Sequence, residues 1–399
     1  MNPFRLMKKL FLVVTLFLLT SSVYAQPRPD APRYAQAGPY LVGVREFLIE
    51  DESDSLPVMI WYPALNPEGV EVTTEYRAGI LAMRGNALRD AEPDFSGGPY
   101  PVILFSHGSG GIRFQSTFLT EHLASYGFVV VAIDHPKNTL LDALSGALND
   151  DALLESFATR PFEMLRLITF LDQADPFESQ YELLDMSRMV VSGHSFGGYT
   201  ALAVGGAQLD FSASAERCTA DPEASLGCSI YPRLDEVATL RGLDEVPQGL
   251  WPATTDPRIQ AVVALAPASE DLFGEIGITH LDLPTLMLTG SADAVLPVEG
   301  HFYPIYDALP HEQKASVVFE NGGHYLFVTD CSYFPTLLLN MGLFSKCSDL
   351  VWDMQRAHEI TNHYVTAFLL TVLYDDADAH SVFTAGSPFL GVELSQTGF

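Results

Sequence analysis

The stretch Met189-Val190-Val191-Ser192-Gly193-His194-Ser195-Phe196-Gly197 decides the fold of this chain. Its apolar start predicts a short strand, after which Ser195 stands between Gly193 and Gly197 at the apex of a sharp turn into a helix. In so tight a turn, a side chain at either glycine would collide with neighbouring backbone. The pattern G-x-S-x-G therefore predicts a strand, a turn that presents a serine, and a helix.

Short apolar runs alternate with helical segments along the rest of the chain. Predicted strands cover residues 41–49, 57–62, 102–105, 128–133, 189–191, 259–265, 285–288 and 316–319. Predicted helices cover 161–173 and 351–373, where apolar residues recur at helical spacing. This alternation indicates a mostly parallel, eight-stranded sheet that opens on an antiparallel pair and carries helices on both faces.

The segment 208–257 is the least regular part of the chain and is rich in Asp, Pro, Ser and Gly. We predict a single domain over residues 26–399, with an insertion at this segment. An irregular stretch of this length inside a compact domain usually covers a functional site. Both a lid over Ser195 and an insertion far from it fit the sequence.

The first 25 residues predict a secretory signal peptide. Basic residues precede an apolar run over 10–19, and Val23-Tyr24-Ala25 offers a cleavage site after Ala25. The apolar run is about half of the ~20 residues that a membrane span needs. We therefore expect an exported protein, periplasmic or extracellular, without a stable membrane anchor.

The composition excludes several partner classes. Asp and Glu outnumber Lys and Arg by 50 to 21, for a net charge of -29. Such a surface repels nucleic acids and anionic lipid headgroups. With 48% hydrophobic residues the chain is not disordered. The expected partner is a small-molecule or polymeric substrate, not a nucleic acid.

Four cysteines in an exported chain favour disulfides over metal ligation. Of the three possible pairings, we favour Cys218 with Cys228 and Cys331 with Cys347, because each pair is close in sequence within a loop-like region. No Cys/His spacing resembles a zinc site. We expect neither a metal nor another cofactor.

A serine hydroxyl becomes a good nucleophile only beside a base, and an acid must orient that base. The strand at 285–288 leads into a turn that carries Asp293, and the strand at 316–319 leads into a turn that carries His324. Reactive groups gather at the carboxyl ends of parallel strands. We therefore predict Ser195 as nucleophile, His324 as base and Asp293 as acid.

Other residues compete for these roles. The alternative acids are Glu270 and Asp271, with Glu320 a weaker third. The histidines His107, His135 and His194 precede or adjoin the serine, against the usual chain order of such sites. We expect the His194 side chain under the turn, in a packing or hydrogen-bonding role.

An acyl-transfer site also needs amide donors for the developing oxyanion. The amide after the nucleophile, that of Phe196, supplies one. The glycine-rich turn 106–111 follows a predicted strand, and its backbone can approach a substrate closely. From this turn we name Ser109 as the second donor, with Gly108 as the alternative.

Several of these motifs together resemble a known family. The runs 101–108, 193–198 and 56–63 are similar to bacterial α/β-hydrolases called predicted dienelactone hydrolases, which are related to platelet-activating-factor acetylhydrolases. The resemblance continues through the segment from His324 to His358, so it covers most of the mature chain. It implies an α/β-hydrolase fold and the hydrolysis of esters.

Two differences from the family limit which of its properties we expect in this chain. True dienelactone hydrolases use a cysteine nucleophile, whereas position 195 is serine. Animal acetylhydrolases place the acid where this chain has Ala266-Pro267, and Asp293 fits dienelactone hydrolases and cutinase-like polyester hydrolases instead.

The sequence therefore predicts a cofactor-free serine esterase that forms an acyl-enzyme. Four apolar residues are expected near the site, namely Tyr325, Leu326, Phe327 and Trp61. They favour an uncharged acyl or aromatic substrate, and a role as ordinary core residues fits them equally well. Short-chain lipid esters and polyester fragments both fit. The alternatives are an acyltransferase or amidase that uses the same catalytic residues, or a binding protein with a hydrolase fold and no activity.

Overall fold

The computed structural model describes residues 28–399 except 51–54, 80, 175, 178, 180–181 and 335–341. The predicted signal peptide, residues 1–25, lies outside the described residues. No helix in the described ranges has both the length and the apolar character needed to cross a membrane.

Within the described residues the chain forms twelve strands, of which ten make one sheet. They are β1 (Leu41–Ile49), β2 (Leu56–Ala64), β3 (Thr74–Ala78), β4 (Leu81–Gly85), β5 (Leu88–Arg89), β6 (Tyr100–Ser106), β7 (Val129–Ile133), β8 (Leu184–His194), β9 (Ile259–Leu265), β10 (Thr285–Gly290), β11 (Lys314–Phe319) and β12 (Val392–Thr397). The sheet order is β12-β11-β10-β9-β8-β6-β7-β2-β1-β5, and β3 pairs only with β4. The six strands from β7 to β11 in this order are parallel, and β2 joins β7 in antiparallel orientation.

All eight predicted strands lie in this sheet, and the mostly parallel architecture is confirmed. The two further strands lie at its edges. β5 is only two residues long, and β12 has one buried residue at its start followed by mostly exposed polar residues. Neither contains the apolar run that a buried strand requires, so the sequence pattern does not reveal them.

Helices cover both faces of the sheet. They are α1 (Thr117–Ser125), α2 (Leu140–Ser145), α3 (Asp150–Gln173), α4 (Phe196–Val204), α5 (Ala215–Ala220), α6 (Leu226–Ile230), α7 (Leu234–Leu240), α8 (Gly274–Gly277), α9 (Val298–His301), α10 (Tyr303–Ala308), α11 (Met354–Tyr374) and α12 (Ala377–Thr384). Buried side chains of α3 and α4 pack on one face, and those of α1 and α11 pack on the other.

Helix α3 begins earlier than the predicted 161–173. The Asn149 side chain caps its start, and acidic residues in the first turn suit the positive end of the helix dipole. Pro161, where the prediction starts, lies inside the helix. Because proline has no N–H, the carbonyl of Phe157 instead accepts a hydrogen bond from the Tyr199 hydroxyl at 3.0 Å. This bond ties α3 to the helix that follows Ser195.

The insertion 208–257 folds into α5, α6 and α7 and packs on the α3 side of the sheet. Its buried apolar side chains, among them Phe211, Val237 and Trp251, join the core on that face. Both predicted disulfides are present, Cys218–Cys228 within this insertion and Cys331–Cys347 after β11. The second disulfide links two positions of the segment between β11 and α11.

Candidate active site

Ser195 lies between the end of β8 and the start of α4, in a backbone conformation that side-chain-bearing residues rarely adopt. Its φ is 59° and its ψ is -118°. The two flanking glycines allow this turn, because a Cβ at Gly193 would meet the backbone of Gly197, and one at Gly197 would meet the carbonyl of Ser106. The turn holds the serine side chain half-exposed above the sheet.

Three side chains from separate loops form one hydrogen-bonded chain. The Ser195 Oγ lies 2.9 Å from His324 Nε2, and His324 Nδ1 lies 2.6 Å from Asp293 Oδ2. Asp293 follows β10 and His324 follows β11, which are adjacent and parallel. The other Asp293 oxygen accepts hydrogen bonds from the amides of Val295 and Leu296, at 2.8 and 2.7 Å.

The environment of Asp293 keeps its carboxyl group ionised. Burial alone would raise its pKa, but the hydrogen bonds from His324, Leu296 and Val295 outweigh burial and lower the pKa below its ordinary value. An ionised carboxylate only accepts hydrogen bonds, so His324 Nδ1 carries the proton. The His324 Nε2 is then free to accept the Ser195 hydroxyl hydrogen.

The alternative acids lie elsewhere. Glu270 faces His301, whose Nε2 is 3.6 Å from the Glu270 carboxylate, and Asp271 forms an ion pair with Arg217. Glu320 is exposed. None of these three carboxylates has a hydrogen bond to His324 among the described contacts.

Potential metal ligands converge at one place in the described ranges, where Cys218, Cys228 and Asp271 lie together. The two sulfur atoms are bonded to each other, and the Asp271 carboxylate is paired with Arg217. The group therefore offers no thiolate to a metal ion.

Most amides of the glycine-rich turn after β6 are already hydrogen-bonded within the protein. The Gly108 amide donates to Gln115 Oε1 (3.1 Å), the Gly110 amide to Asn138 Oδ1 (3.1 Å) and the Gly111 amide to the Gly108 carbonyl (3.0 Å). Within the described chain, the Ser109 amide and the Phe196 amide have no such acceptor. Ser109 therefore fits the role of second oxyanion donor better than the alternative, Gly108.

Gln115 is a site residue that the sequence analysis missed. Its Oε1 holds the Gly108 amide, and its Nε2 lies 3.0 Å from His194 Nδ1. His194 Nε2 in turn lies 3.0 Å from the His324 carbonyl. Burial lowers the pKa of His194 to about 3, so this ring stays neutral beside His324. No motif marks Gln115, and its partner His194 lies 79 positions away in sequence.

A cavity of about 270 Å³ opens over Ser195 and His324. Its apolar lining among the described residues consists of Ile112, Leu140, Val295, Tyr325, Val328 and Phe334. In the same lining, Lys346 is the one lysine or arginine. Of the apolar residues expected near the site, only Tyr325 lines the cavity, since Trp61, Leu326 and Phe327 are buried in the core.

The insertion 208–257 supplies no lining residue in the described part of the chain. The cavity wall is instead completed by residues after β11, including Cys347 of the second disulfide. A lid role for the insertion therefore has no supporting contact in the structure.

A second hydrogen-bonded chain of a serine, a histidine and a carboxylate lies behind the turn 106–111. The Ser106 Oγ is 2.7 Å from His135 Nε2, and His135 Nδ1 is 2.6 Å from Glu163 Oε2. Both Ser106 and His135 are inaccessible to solvent. Burial lowers the pKa of His135 and raises the pKa of Glu163 to about 7.

Comparison with known proteins places this architecture. A ferulic acid esterase from Streptomyces cinnamoneus superposes with a TM-score of 0.55 at 20% identity, over 84% of this chain and 91% of the esterase. The chain has an α/β-hydrolase fold. A PET hydrolase-like family model matches residues 248–337 of this chain, and a chlorophyllase family model matches residues 86–224.

Sequence relatives point the same way. Platelet-activating factor acetylhydrolase of Cavia porcellus is 24% identical over 41% of this chain, and the chain spans half the length of that relative. Cutinase est1 of Thermobifida alba is 24% identical over 65% of the chain and 68% of the cutinase, and cutinase est2 of the same organism is 30% identical over 37% of the chain and 47% of the cutinase. These matches confirm the predicted resemblance to the acetylhydrolase and dienelactone hydrolase type, and they support the predicted class of carboxylic-ester hydrolase.

Proposed function

We propose that this α/β-hydrolase is an exported serine esterase that cleaves carboxylic esters through an acyl-enzyme. The observation that carries the proposal is the chain from Ser195 through His324 to Asp293, which opens into a cavity beside two amides without a protein acceptor. The candidates for nucleophile, base, acid and oxyanion donors therefore lie close together, which supports the proposal.

Each of these groups has one task in the proposed reaction. Ser195 Oγ attacks the ester carbonyl while His324 Nε2 takes the hydroxyl proton, and the ionised Asp293 stabilises the resulting imidazolium. The carbonyl oxygen becomes an anion that accepts hydrogen bonds from the amides of Ser109 and Phe196. Collapse expels the alcohol, which receives the proton from His324. Water, activated by the same histidine, then hydrolyses the acyl-enzyme and restores the serine.

The cavity favours a compact, uncharged ester. At about 270 Å³ it is at the small end of ligand sites, and its side walls are largely apolar. A short acyl chain or a single aromatic ring suits such a space. The relatives named for ferulic acid ester, cutin and platelet-activating factor also support short-chain lipid esters or aromatic and polyester-type esters.

Two features support export. The first 25 residues have the pattern of a signal peptide, and two disulfides form in the folded domain. Disulfides persist in oxidising compartments and are rare in the cytosol. The proposed location is therefore the periplasm or the extracellular space.

The test is a series of p-nitrophenyl esters, from acetate to decanoate, given to the purified protein and to Ser195→Ala. We expect hydrolysis to be fastest with short acyl chains and to fall by about 10⁴-fold or more in the variant. Ser145→Ala, which changes an exposed serine on α2, is the matched control and should behave as the parent. Full activity in Ser195→Ala would overturn the proposal. Adding an alcohol acceptor during turnover separates an esterase from an acyltransferase, since an esterase forms mainly the free acid.

A further inference from the structure

Arg160 on α3 is fully buried directly behind the glycine-rich turn. Its guanidinium donates to the carbonyls of His107 (2.6 Å) and Gly108 (3.3 Å), to Asn138 Oδ1 (2.9 Å) and to Ser156 Oγ (3.0 Å). All these acceptors are neutral. The guanidinium therefore binds the turn through its backbone and through Asn138, which also holds the Gly110 amide.

A buried guanidinium without an ion pair is unusual. Arg113, another buried arginine of this chain, pairs with Asp134 and Glu46. No carboxylate in the described ranges lies within ion-pair distance of Arg160. Burial lowers the pKa of Arg160 to about 9 although the charge of the nearby Glu163 carboxylate opposes this shift, so the side chain still carries its charge at neutral pH. Because an unpaired buried charge destabilises a fold, its presence behind the site calls for a functional reason.

One of the Arg160 hydrogen bonds reaches the peptide that presents the Ser109 amide. The carbonyl of that peptide, Gly108 O, accepts from Arg160, from His107 Nδ1 at 2.7 Å and from the Gly111 amide at 3.0 Å. The peptide unit is planar, so fixing its oxygen also fixes the direction of its N–H. Donors on the oxygen polarise the unit and strengthen the N–H as a donor.

The same guanidinium also contacts the residue that supplies the other amide. Its central carbon lies 4.7 Å from the centre of the Phe196 ring, a cation–π distance. Phe196 begins α4 immediately after Ser195. One buried cation thus contacts the backbone of the turn that carries Ser109 and the side chain of Phe196.

We propose that Arg160 is a positioning residue of the oxyanion hole, which aligns the Ser109 and Phe196 amides and adds positive charge behind the oxyanion. This inference rests on the proposed esterase function. It predicts that Arg160 acts mainly on the transition state, because the charge it supports develops only there. Loss of Arg160 should lower kcat and leave KM nearly unchanged.

The experiment compares Arg160→Met and Arg160→Lys with the parent protein on p-nitrophenyl butyrate. We expect kcat to fall by about 100-fold in Arg160→Met, the lower end of what loss of a whole oxyanion donor costs, and by less in Arg160→Lys. KM should stay within about threefold. Inhibition constants for a trifluoromethyl ketone, whose adduct with serine carries an oxyanion, should weaken in proportion to kcat/KM. The matched control is Arg241→Met, which removes a half-buried arginine that stacks on aromatic rings, Phe162 and Trp251, and should retain kcat.

Circular dichroism and a thermal melt establish that each variant is folded. If Arg160→Met does not fold, Asn138→Ala removes only the link from Arg160 to the Gly110 amide and should still lower kcat with KM unchanged. A folded Arg160→Met with kcat within twofold of the parent, or ketone inhibition that does not follow kcat/KM, would overturn the inference. Failure of the proposed function is distinguishable, since the parent protein would then not hydrolyse the ester at all.

Discussion

Two Ser–His–carboxylate chains lie within this fold, and they differ in access rather than in hydrogen-bond distances. In the first, Ser195 opens into a cavity with its backbone at positive φ. In the second, Ser106 ends β6 in an ordinary strand and is closed off from solvent. The serine-to-histidine distances are 2.9 and 2.7 Å, and both histidine-to-carboxylate distances are 2.6 Å.

The comparison predicts that a hydrogen-bonded triad alone does not make a serine reactive. Ser195 has a cavity for the substrate and two amides without a protein acceptor beside it, whereas Ser106 has neither. The carboxylates differ as well, because hydrogen bonds lower the pKa of Asp293 while burial raises the pKa of Glu163 to about 7. We therefore propose that the first chain is catalytic and that the second supports the turn 106–111.

The largest expected difference between the two chains is in turnover. Asp293→Asn keeps the shape of the side chain but removes its charge and favours the wrong tautomer of His324, so kcat should fall by about 10⁴-fold. Glu163→Gln, the matched change in the second chain, should lower kcat by less than about tenfold. Steady-state kinetics on p-nitrophenyl butyrate measure both effects. An equal fall of kcat in the two variants would contradict the proposal that only the first chain is catalytic.

The carboxylates should also affect stability with opposite dependence on pH. The folded-state pKa of Glu163 is raised from 4.5 to about 7, so its contribution is present at low pH and is lost as the pH rises through that range. The loss amounts to about 3 kcal/mol at most. For Asp293 the pKa is lowered, so its contribution is present above the unfolded-state pKa and is lost as the pH falls through the lower folded-state pKa.

Urea unfolding between pH 4 and pH 8 measures this difference. In Glu163→Gln the decline of the unfolding free energy between pH 4.5 and about 7 should be smaller than in the parent protein. Asp293→Asn should leave that decline in place. A decline of the same size in Glu163→Gln and in the parent would contradict the assigned role of Glu163.

Ser106→Ala tests the role of the serine in the second chain. The change leaves the buried His135 Nε2 without its partner, so the unfolding free energy should fall by about 1–3 kcal/mol. Activity of the folded variant should stay within a few-fold of the parent. Chemical unfolding monitored by fluorescence gives the first quantity, and initial rates give the second. A loss of turnover as large as that of Ser195→Ala would contradict the supporting role.

The smallest effect concerns the acid side of the pH–rate profile. Burial lowers the pKa values of His107, His135 and His194, so these rings stay neutral where esterases are assayed. Asp293 stays ionised over the same range. The logarithm of kcat/KM should therefore rise with a slope of one, which reports a single essential base. A slope of two below neutral pH would show that a second ionisation controls activity.

The sequence predicts the parts of the site that depend on strand order. Asp293 and His324 follow adjacent parallel strands, so the alternation of apolar runs is enough to bring them to one edge of the sheet. The disulfides were predictable because each pair of cysteines is close in sequence. Two edge strands and the first eleven residues of α3 were not predictable, since they lack a buried apolar run or precede a proline.

Residues that support the site through distant contacts also escaped prediction. Gln115 reaches His194 across 79 positions, and Arg160 reaches the His107 carbonyl across 53. Neither residue belongs to a spaced motif, and a buried arginine has the same sequence signal as an exposed one. The folded arrangement alone shows that both side chains hold the turn beside Ser195.

Covalent labelling with a fluorophosphonate tests most directly the claim that one serine of the two chains is the nucleophile. The reagent phosphonylates a serine that has a base beside it and space for the incoming group. Intact-mass analysis should show a single adduct on the parent protein and on Ser106→Ala, peptide mapping should place it on Ser195, and Ser195→Ala should stay unmodified. An adduct on Ser106, or undiminished labelling of Ser195→Ala, would contradict the account.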